Sequence, residues 1–545
     1  MTMLESRVTS AVGRALQRAL GSIRRIPWRW AHAVIAVLAF GMLFSIVKDQ
    51  WFILDEFDYL RPSGNWLVWV LTPHNEHTIV FTKAWYSICY QLFGLRHFWV
   101  YALPMLIAHA AAYIAVVRIV ILAIGDRPLA RFGTLPLIVM AAGVGTLTWG
   151  GQFQYTGAVA AGLWLIWGSL REKGMPLWLV AVLTIFGTFS GSAFIALAIV
   201  AGVLFVVRAR LFAGLIVLIL SVGWFLVSKE VWKVSDAYQA QGVRQVLADG
   251  PSFAWAVFDR AVTDTTRTPS VTAVLIVATG ALAVALAMRM TRANARSPRA
   301  MVVYALAAAT VLSLLVTVIG RIGRDISDAA GGGYSYFIVI TAFPLVLVLV
   351  ATAIGRSRIA SGLVLAFSLV LSAVGVAGYS SYASSLRDWK QGTNLALSNA
   401  AYLAAHGTAG YYSALPAPNG APTVDWATVT MWARDGKIIE RKPSSSGQAA
   451  ILAQVQLSVV GTTAKCAPVA SSELSSDGRA STKIRSGARV QGLGLTPSSI
   501  ELTLNERGAT ARTIPLATGA IVTVTAHDGG DVRLMVTSGS VAYCE

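Results

Sequence analysis

The chain has 545 residues, of which 55% are hydrophobic and only 13% are charged, and its mean hydropathy is +0.63. This composition excludes an ordinary soluble enzyme and indicates a protein that crosses a membrane several times. The formal net charge of +18 does not indicate nucleic-acid binding, because the basic residues lie mainly in short gaps between apolar runs and in the C-terminal region. The sequence contains no glycine-rich phosphate loop, no zinc-type cysteine spacing and no repeat.

Residues 1–30 form a basic segment ahead of the first apolar run, with Glu5 as their single acid. Apolar residues recur in it at helical spacing, at Val8, Val12, Leu16 and Leu20. This pattern predicts an amphipathic cytoplasmic helix, and a basic tail that only fixes the topology is the alternative. Ala31–Val47 predicts the first, outward crossing. No convincing cleavage site follows it, so we interpret it as an uncleaved anchor.

The apolar runs and the charges between them predict eleven crossings within a membrane domain at residues 31–378. Phe98–Gly125 is the second crossing, and Thr78–Phe93 is a helix on the outer surface. The others fall near residues 133–149, 156–170, 176–189, 193–207, 211–228, 270–288, 300–319, 336–354 and 360–378. The gaps assigned to the cytoplasm are then rich in arginine, as the positive-inside rule requires. Two alternatives stay open. Thr78–Phe93 could be a crossing that inverts the orientation of every later helix, and Pro176–Val207 could be one broken span.

The predicted outer loop, residues 48–97, carries the clearest functional signal. Its stretch Trp51–His77 opens with adjacent carboxylates among aromatic residues and closes with a Pro-His-Asn-Glu-His segment. The candidate side chains are Asp55, Glu56, Asp58, His74, Glu76 and His77. Neighbouring carboxylates at an apolar boundary cannot both ionise easily, which suits general-base work, sugar-phosphate binding or metal binding. The alternative is a solvated loop with the aromatic belt found at membrane interfaces.

Two arginines stand at the outer end of a later predicted helix. Arg321 and Arg324 are three residues apart, so they share a helix face and could clamp a phosphate through paired N–H donors. A glycine-rich turn follows at residues 331–333. The alternative is a surface pair that bonds Asp325, Asp328 and lipid headgroups.

The composition changes after Gly378, and residues 379–545 predict an extracytoplasmic domain. A helical segment comes first, and short alternating runs that predict strands follow it. The clearest of these are Leu452–Val459, Ile500–Leu504, Ile521–Thr525 and Val532–Val536. We expect a small β-sandwich. Cys466 and Cys544 both lie in it and predict a disulfide in an oxidising compartment, with two free thiols as the alternative.

The chain resembles the GT-C membrane glycosyltransferases, a superfamily that includes protein O-mannosyltransferases, the lipid A aminoarabinose transferase and mycobacterial arabinofuranosyltransferases. The resemblance rests on one crossing, an outer loop opening with Asp-Glu, the Pro-His-Asn-Glu-His segment and a surface helix ending in Leu-Phe-Gly. It implies a polytopic α-helical fold with about 11 transmembrane helices and a C-terminal outer domain. One departure is Ser335-Tyr336, where such enzymes often have Arg-Tyr.

The resemblance implies a transferase that uses a polyprenyl-phosphate sugar, with arabinose and mannose as guesses by analogy. The acceptor would be an envelope glycan, lipid or protein at the outer face of a bacterial cytoplasmic membrane. The sugar would move by a single displacement with Asp55 or Glu56 as the general base. The expected ligands of the donor phosphate are Arg321, Arg324, Lys83 and His77, and the expected positioning residues are His74, Glu76 and Asp58.

No metal is expected to be obligate, and if a cation binds, Mg²⁺ or Mn²⁺ is favoured over zinc. Two rival functions stay open. The first is a transporter of lipid-linked sugars, whose hallmark would be charges inside the spans. The second is a non-catalytic envelope-assembly protein with a sugar-binding outer domain.

Overall fold

The computed structural model describes part of the chain. The described residues are 27–60, 64–74, 77–232, 240, 242–266, 297–323, 333–355, 357–406, 424, 426–443 and the C-terminal strands given below. The chain divides into two compact units. Unit 1 comprises residues 1–50, 62–88 and 98–387, and unit 2 comprises residues 51–61, 89–97 and 388–545. Several predicted features lie outside the described residues, namely the amphipathic segment 1–26, Glu76, the crossing at 270–288, Arg324 and Cys466.

The described helices are numbered in chain order. They are α1 (Trp28–Val47), α2 (Trp66–Leu71), α3 (Val80–Phe93), α4 (Phe98–Ile124), α5 (Pro128–Phe132), α6 (Val144–Leu147), α7 (Phe153–Leu170), α8 (Leu177–Ser190), α9 (Phe194–Val207), α10 (Leu211–Trp232), α11 (Val243–Thr266), α12 (Pro298–Arg321), α13 (Gly333–Ile354), α14 (Arg358–Ala405) and α15 (Trp426–Arg434). Six of them are long and apolar enough to cross a membrane, namely α1, α4, α10, α12, α13 and α14, and α8 and α9 are shorter apolar helices. The chain is therefore a multi-pass membrane protein.

Unit 1 is a helical bundle whose interior is formed by α4 and α7. These two helices pack along each other, and α7 also packs on α8 and α9. The helices α12 and α13 pack on each other and on α4. Small residues permit this close approach. A Cβ at Gly162 of α7, for example, would overlap the side chain of Leu197 on α9.

The predicted crossing at residues 133–149 is wrong as a continuous helix. The segment forms three short helical turns, Leu135–Leu137, Ala141–Gly143 and α6. Its residues are apolar enough for a span, but Pro136 lacks a backbone donor, and the glycines at 133, 143 and 145 lower helix propensity. Hydropathy therefore correctly indicated that the segment is buried, but not that its backbone is broken into short turns.

The uncertain hairpin after Pro176 consists of two separate helices, as predicted. The helices α8 and α9 have 14 residues each and meet at Gly191, where a Cβ would lie 2.7 Å from the carbonyl oxygen of Gln154. The predicted surface helix is α3, which is not among the described helices with the length and apolarity of a span. Downstream, α14 is one helix of 48 residues that joins the predicted crossing at 360–378 to the helical segment after it.

Unit 2 contains the acidic turn, part of α14, α15 and two antiparallel sheets. The strands are β1 (Leu457–Gly461), β2 (Ser472–Ser475), β3 (Ser481–Ile484), β4 (Arg489–Leu493), β5 (Ser498–Leu504), β6 (Thr510–Leu516), β7 (Ile521–Ala526), β8 (Val532–Ser538) and β9 (Ser540–Cys544). One sheet has the order β1-β7-β4-β9-β2 and the other β3-β8-β5-β6. The disulfide stays a prediction, because Cys544 ends β9 and Cys466 is not described.

Candidate active site

In unit 1, the turn before α3 fixes the backbone of His77. The amide of His74 donates to the carbonyl of His77 at 2.9 Å, and the amide of His77 donates to the carbonyl of His74 at 3.0 Å. This reciprocal pair ties the backbones of His74 and His77 to each other. Both histidines are half-buried.

The imidazole of His77 bridges two distant parts of unit 1. Its Nδ1 lies 2.6 Å from Ser192 Oγ, and its Nε2 lies 2.9 Å from Nη2 of Arg321. A guanidinium can only donate, so Nε2 must accept this hydrogen bond. His77 is therefore a neutral imidazole whose proton is on Nδ1, and that N–H donates to Ser192 Oγ. The break between α8 and α9 thus positions the side chain that orients Arg321.

Arg321 is the last residue of α12 and is only 6% exposed. Its Nε donates to the hydroxyl of Tyr334, and its guanidinium carbon lies 5.4 Å from the centre of that ring. The ring of Tyr155 packs edge-on against both Tyr334 and His77, with centroids 5.5 and 6.1 Å apart. These hydrogen bonds to His77 and Tyr334 restrict the orientation of the guanidinium.

Gly333, the first residue of α13, allows Tyr155 to approach. A Cβ at this position would overlap the Tyr155 ring. We therefore expect Gly333→Ala to lower the free energy of unfolding by about 1–3 kcal/mol through overpacking. Thermal unfolding of the purified protein measures this change. The control is Gly320→Ala in α12, where nothing lies within 4 Å of the added methyl group and helix propensity improves. Equal unfolding temperatures for the two variants would contradict the prediction.

Lys83, on α3, forms hydrogen bonds to backbone carbonyl groups of unit 1. Its ammonium donates to the carbonyl oxygens of Trp69 at 3.1 Å and Thr72 at 2.7 Å, and it lies 5.2 Å from the centre of the Trp69 ring. The side chain is 4% exposed. It satisfies carbonyl groups at the C-terminal end of α2, which would otherwise lack partners inside the helix. Lys83 thus anchors the segment before His74, and its predicted contact with phosphate stays a prediction.

Unit 2 holds the acidic turn, a 3₁₀ helix at Leu54–Phe57. Leu54 has a φ of 48°, a left-handed conformation that is strained for a bulky side chain. Asp55 and Asp58 are half-buried, whereas Glu56 is fully buried and its Oε2 accepts a hydrogen bond from the amide of Ile53 at 2.9 Å. The two adjacent carboxylates of the sequence therefore differ in access, and only Asp55 is partly exposed.

Unit 2 also buries a lysine that was not predicted as a site residue. Lys390 lies on α14, twelve residues (about 18 Å of helix) beyond the apolar part that ends near Gly378, and it is fully buried. Burial lowers the pKa of Lys390 to about 8, and the charge of Glu56 opposes that shift. Burial is also the main reason why the pKa of Tyr59 is raised, and the charges of Asp55, Glu56 and Asp58 add to it.

A large cavity in unit 1 runs along α7. Its volume is about 720 Å³, and apart from Arg171 its lining is apolar and aromatic; it includes Phe81, Trp85, Phe153, Trp164 and Phe186. Phe153 and Arg171 mark its extent along α7, about 27 Å at the rise of an α-helix. Phe81 follows His77 by four residues, and Phe153 precedes Tyr155 by two. Phe81 and Phe153, which line the cavity, are thus close in sequence to His77 and Tyr155.

No family model matches the chain, and no curated protein matches it. Among solved structures, ArnT from Cupriavidus metallidurans bound to undecaprenyl phosphate is similar at 13% identity and a TM-score of 0.44, over 79% of this chain and 92% of ArnT. Apo ArnT is similar at 12% identity and a TM-score of 0.44, over 92% of this chain and 98% of ArnT. The arabinofuranosyltransferase AftD from Mycobacteria is similar at 12% identity and a TM-score of 0.40, over 95% of this chain and 61% of AftD.

ArnT and AftD are both GT-C glycosyltransferases, the class that the sequence resembles.

Proposed function

We propose that the chain is a membrane glycosyltransferase of the GT-C type. It moves a sugar from a polyprenyl-phosphate donor to an envelope glycan, lipid or protein at the outer face of a bacterial cytoplasmic membrane. One observation carries the proposal, namely that unit 1 combines a buried Arg321, held by His77, with a long apolar cavity lined by residues close in sequence to His77. This combination suits an amphiphile with an anionic head and a long hydrocarbon tail.

The cavity accounts for the tail of such a donor. Its volume lies within the range of pockets that enclose small ligands, and its length approaches the thickness of the hydrocarbon core of a bilayer. An isoprenoid chain has no polar groups to satisfy, so an aromatic and apolar wall is the surface that favours it. A hydrophilic nucleotide sugar would find no partners along this wall.

The cluster of Arg321, His77 and Tyr334 accounts for the phosphate head. A guanidinium binds phosphate oxygens through paired N–H groups, and His77 and Tyr334 restrict its orientation. As the sugar leaves, the bond between its anomeric carbon and the phosphate oxygen breaks, and the electron pair stays on the phosphate. A fixed positive charge in a dry site stabilises this growing negative charge most in the transition state.

On the acceptor side, Asp55 is the proposed general base. The acceptor hydroxyl oxygen forms the new bond to the anomeric carbon while its proton passes to the Asp55 carboxylate. Glu56 is the weaker candidate, because its carboxylate is fully buried and accepts the Ile53 amide. His74, Glu76 and Asp58 keep their proposed positioning roles. With Arg321 as the cation, Mg²⁺ or Mn²⁺ is not obligate.

A transporter of lipid-linked sugars is expected to carry charged or titratable side chains inside its spans. His109 is a titratable residue inside a span, and the structure buries it completely. Its Nε2 donates to the carbonyl of Ile138 at 3.1 Å, so its Nδ1 accepts from the hydroxyl of Tyr336 at 2.9 Å. Both ring nitrogens of His109 thus form hydrogen bonds to groups inside the protein.

The proposal is tested by sugar transfer from radiolabelled donors with purified protein in lipid. We expect transfer from a long polyprenyl-phosphate sugar and none from nucleotide sugars. A buried methylene contributes about 0.8 kcal/mol, so each two methylenes removed from the donor should raise KM about tenfold, until the part of the tail inside the cavity is gone. Equal KM values for long and short donors, or transfer from nucleotide sugars, would contradict this donor class. No transfer from any donor would favour the non-catalytic function.

A pair of matched variants tests whether the hydrocarbon tail of the donor binds in the cavity. Ile107 lines the cavity on α4 and Ile114 of the same helix does not, and their side chains are 59% and 47% exposed. Ile107→Trp is expected to raise the KM of the long donor about tenfold, the equivalent of about two displaced methylenes. Ile114→Trp is expected to leave it unchanged. A similar KM in both variants would exclude this cavity as the tail site.

A further inference from the structure

We propose that a groove in unit 1, between α1 and α14, binds a membrane phospholipid whose headgroup carries a primary ammonium and a phosphate. The groove has a volume of about 440 Å³, and all the residues that line it belong to unit 1. It shares no lining residue with the apolar cavity along α7. The proposal therefore concerns a second lipid, whose binding can be measured without sugar transfer.

The walls of the groove change from apolar to polar in the same direction on both helices. On α1 the lining residues run from Met42 to Gln50, just past the end of the helix, and on α14 they run from Val376 to Arg387. The side-chain nitrogen of Gln50 donates to the carbonyl oxygen of Ala383 at 3.4 Å, so the two polar ends lie together. Charged side chains are costly inside the hydrocarbon core, so this polar end marks the membrane interface, where lipid headgroups lie.

The groove is accessible from the surrounding lipid. Only 17% of the residues in the apolar part of α1, and 17% in that of α14, are buried in the protein. The other side chains of these spans face the bilayer. A membrane lipid can therefore enter the groove from the side, with its acyl chains along Met42 and Val376 and its headgroup at the polar end.

The polar groups of the groove mainly accept hydrogen bonds. Gln50 is 3% exposed, its side-chain nitrogen donates to two backbone carbonyls, and its buried Oε1 has no hydrogen-bond partner among the described residues. The hydroxyls of Ser45 and Ser384 each donate to a carbonyl of their own helix, at 2.7 and 2.8 Å. These three side chains therefore offer oxygen lone pairs to a ligand. A ligand that fits must donate to them.

A primary ammonium meets this requirement, because it carries three N–H donors and no acceptor. The groove also has a carboxylate, Asp49, and a guanidinium, Arg387, so its wall carries charges of both signs. A headgroup with an ammonium and a phosphate matches both charges. The two residues also interact with other groups of the protein, so the selectivity for N–H donors rests on the acceptor oxygens of Gln50, Ser45 and Ser384.

Phospholipids that differ only in the headgroup test the inference. Purified protein in detergent is titrated with dihexanoyl phosphatidylethanolamine, phosphatidylcholine or phosphatidylglycerol, and Kd is obtained from the thermal stabilisation. We expect phosphatidylethanolamine to bind at least about tenfold more tightly than phosphatidylcholine, which keeps both charges but has no N–H donor. Equal Kd values for these two lipids would show that any amphiphile fills the groove. Tighter binding of phosphatidylglycerol would show that hydroxyl donors on an anionic headgroup are preferred. Either result would overturn the inference.

Two variants test whether the ammonium binds in this groove. Gln50→Met and Ser384→Ala each remove one acceptor, and each should raise the Kd of phosphatidylethanolamine about tenfold and leave that of phosphatidylcholine unchanged. The control is Ser385→Ala, an exposed neighbour on α14 that does not line the groove and whose hydroxyl also bonds to carbonyls of its own helix.

The test does not depend on the folding of Gln50→Met. Ser384→Ala changes an exposed helix position to a residue of higher helix propensity, so it folds and decides alone. A Kd for phosphatidylethanolamine that stays at the wild-type value in Ser384→Ala, or that rises equally in Ser385→Ala, would show that the inference is wrong.

Discussion

Asp55→Asn is expected to abolish detectable sugar transfer, with kcat lower by about 10³-fold or more. General-base catalysis contributes about 10²–10⁴-fold, and an amide cannot accept the proton of the acceptor hydroxyl. The substitution keeps the size and shape of the side chain, so we expect thermal stability and donor KM close to those of the wild type. Transfer in membranes with matched expression measures the effect.

The control for this prediction is Asp435→Asn. Asp435 is an acid of the same unit whose carboxylate forms a surface ion pair with Arg434 at 3.1 Å, and exposed pairs of this kind contribute little. We expect wild-type transfer from it. If Asp55→Asn retains transfer within about tenfold of wild type, another carboxylate is the general base. The loss would then be smaller than the roughly 10²–10⁴-fold that general-base catalysis contributes.

The sequence could identify the acidic turn because its signal is local. Asp55 and Glu56 stand together in a short aromatic stretch directly after an apolar run, and no folding is needed to see this pattern. Their difference in exposure could not be predicted, because it depends on how the folded turn buries Glu56 and leaves Asp55 partly exposed.

The hydrogen bonds around Arg321 could not be predicted from the sequence. The sequence showed an arginine at the outer end of a helix. Its partners His77 and Tyr334, and Ser192, which contacts His77, come from three other segments. One feature of the sequence could have pointed to Ser192, namely the polar break at residues 190–192 inside an apolar run. A break in a membrane helix requires its backbone and side chains to find partners inside the protein, so it is a place to search for functional contacts.

The number and bounds of the helices were predictable where hydropathy and backbone propensity agree. They agree in α4, α12 and α13, which match the predicted crossings at 98–125, 300–319 and 336–354. They disagree at residues 133–149, where apolar side chains stand on a backbone interrupted by proline and glycine. Averaged hydropathy indicates that a segment is buried, but it does not detect proline and glycine that interrupt a helix. The continuous helix predicted at residues 133–149 is wrong for this reason.

Arg321→Gln should have the second large effect, lowering kcat/KM about 10³-fold. Removing one donor to a developing anion costs about 10²–10³-fold, and this change also removes the charge that binds the phosphate in the ground state. Arg321→Lys should recover only part of this loss. An ammonium lacks the planar fork through which Arg321 donates to His77 and Tyr334, and it cannot bind two phosphate oxygens side by side.

The matched control is Arg358→Gln, which changes an exposed arginine at the start of α14. It should transfer sugar like the wild type, so that a loss in Arg321→Gln cannot be assigned to net charge alone. Thermal stabilisation by added polyprenyl phosphate gives an independent reading, because it should be present in the control and lost in Arg321→Gln. A donor KM and a stabilisation that both survive Arg321→Gln would place the phosphate elsewhere in the protein and leave Arg321 with a purely structural role.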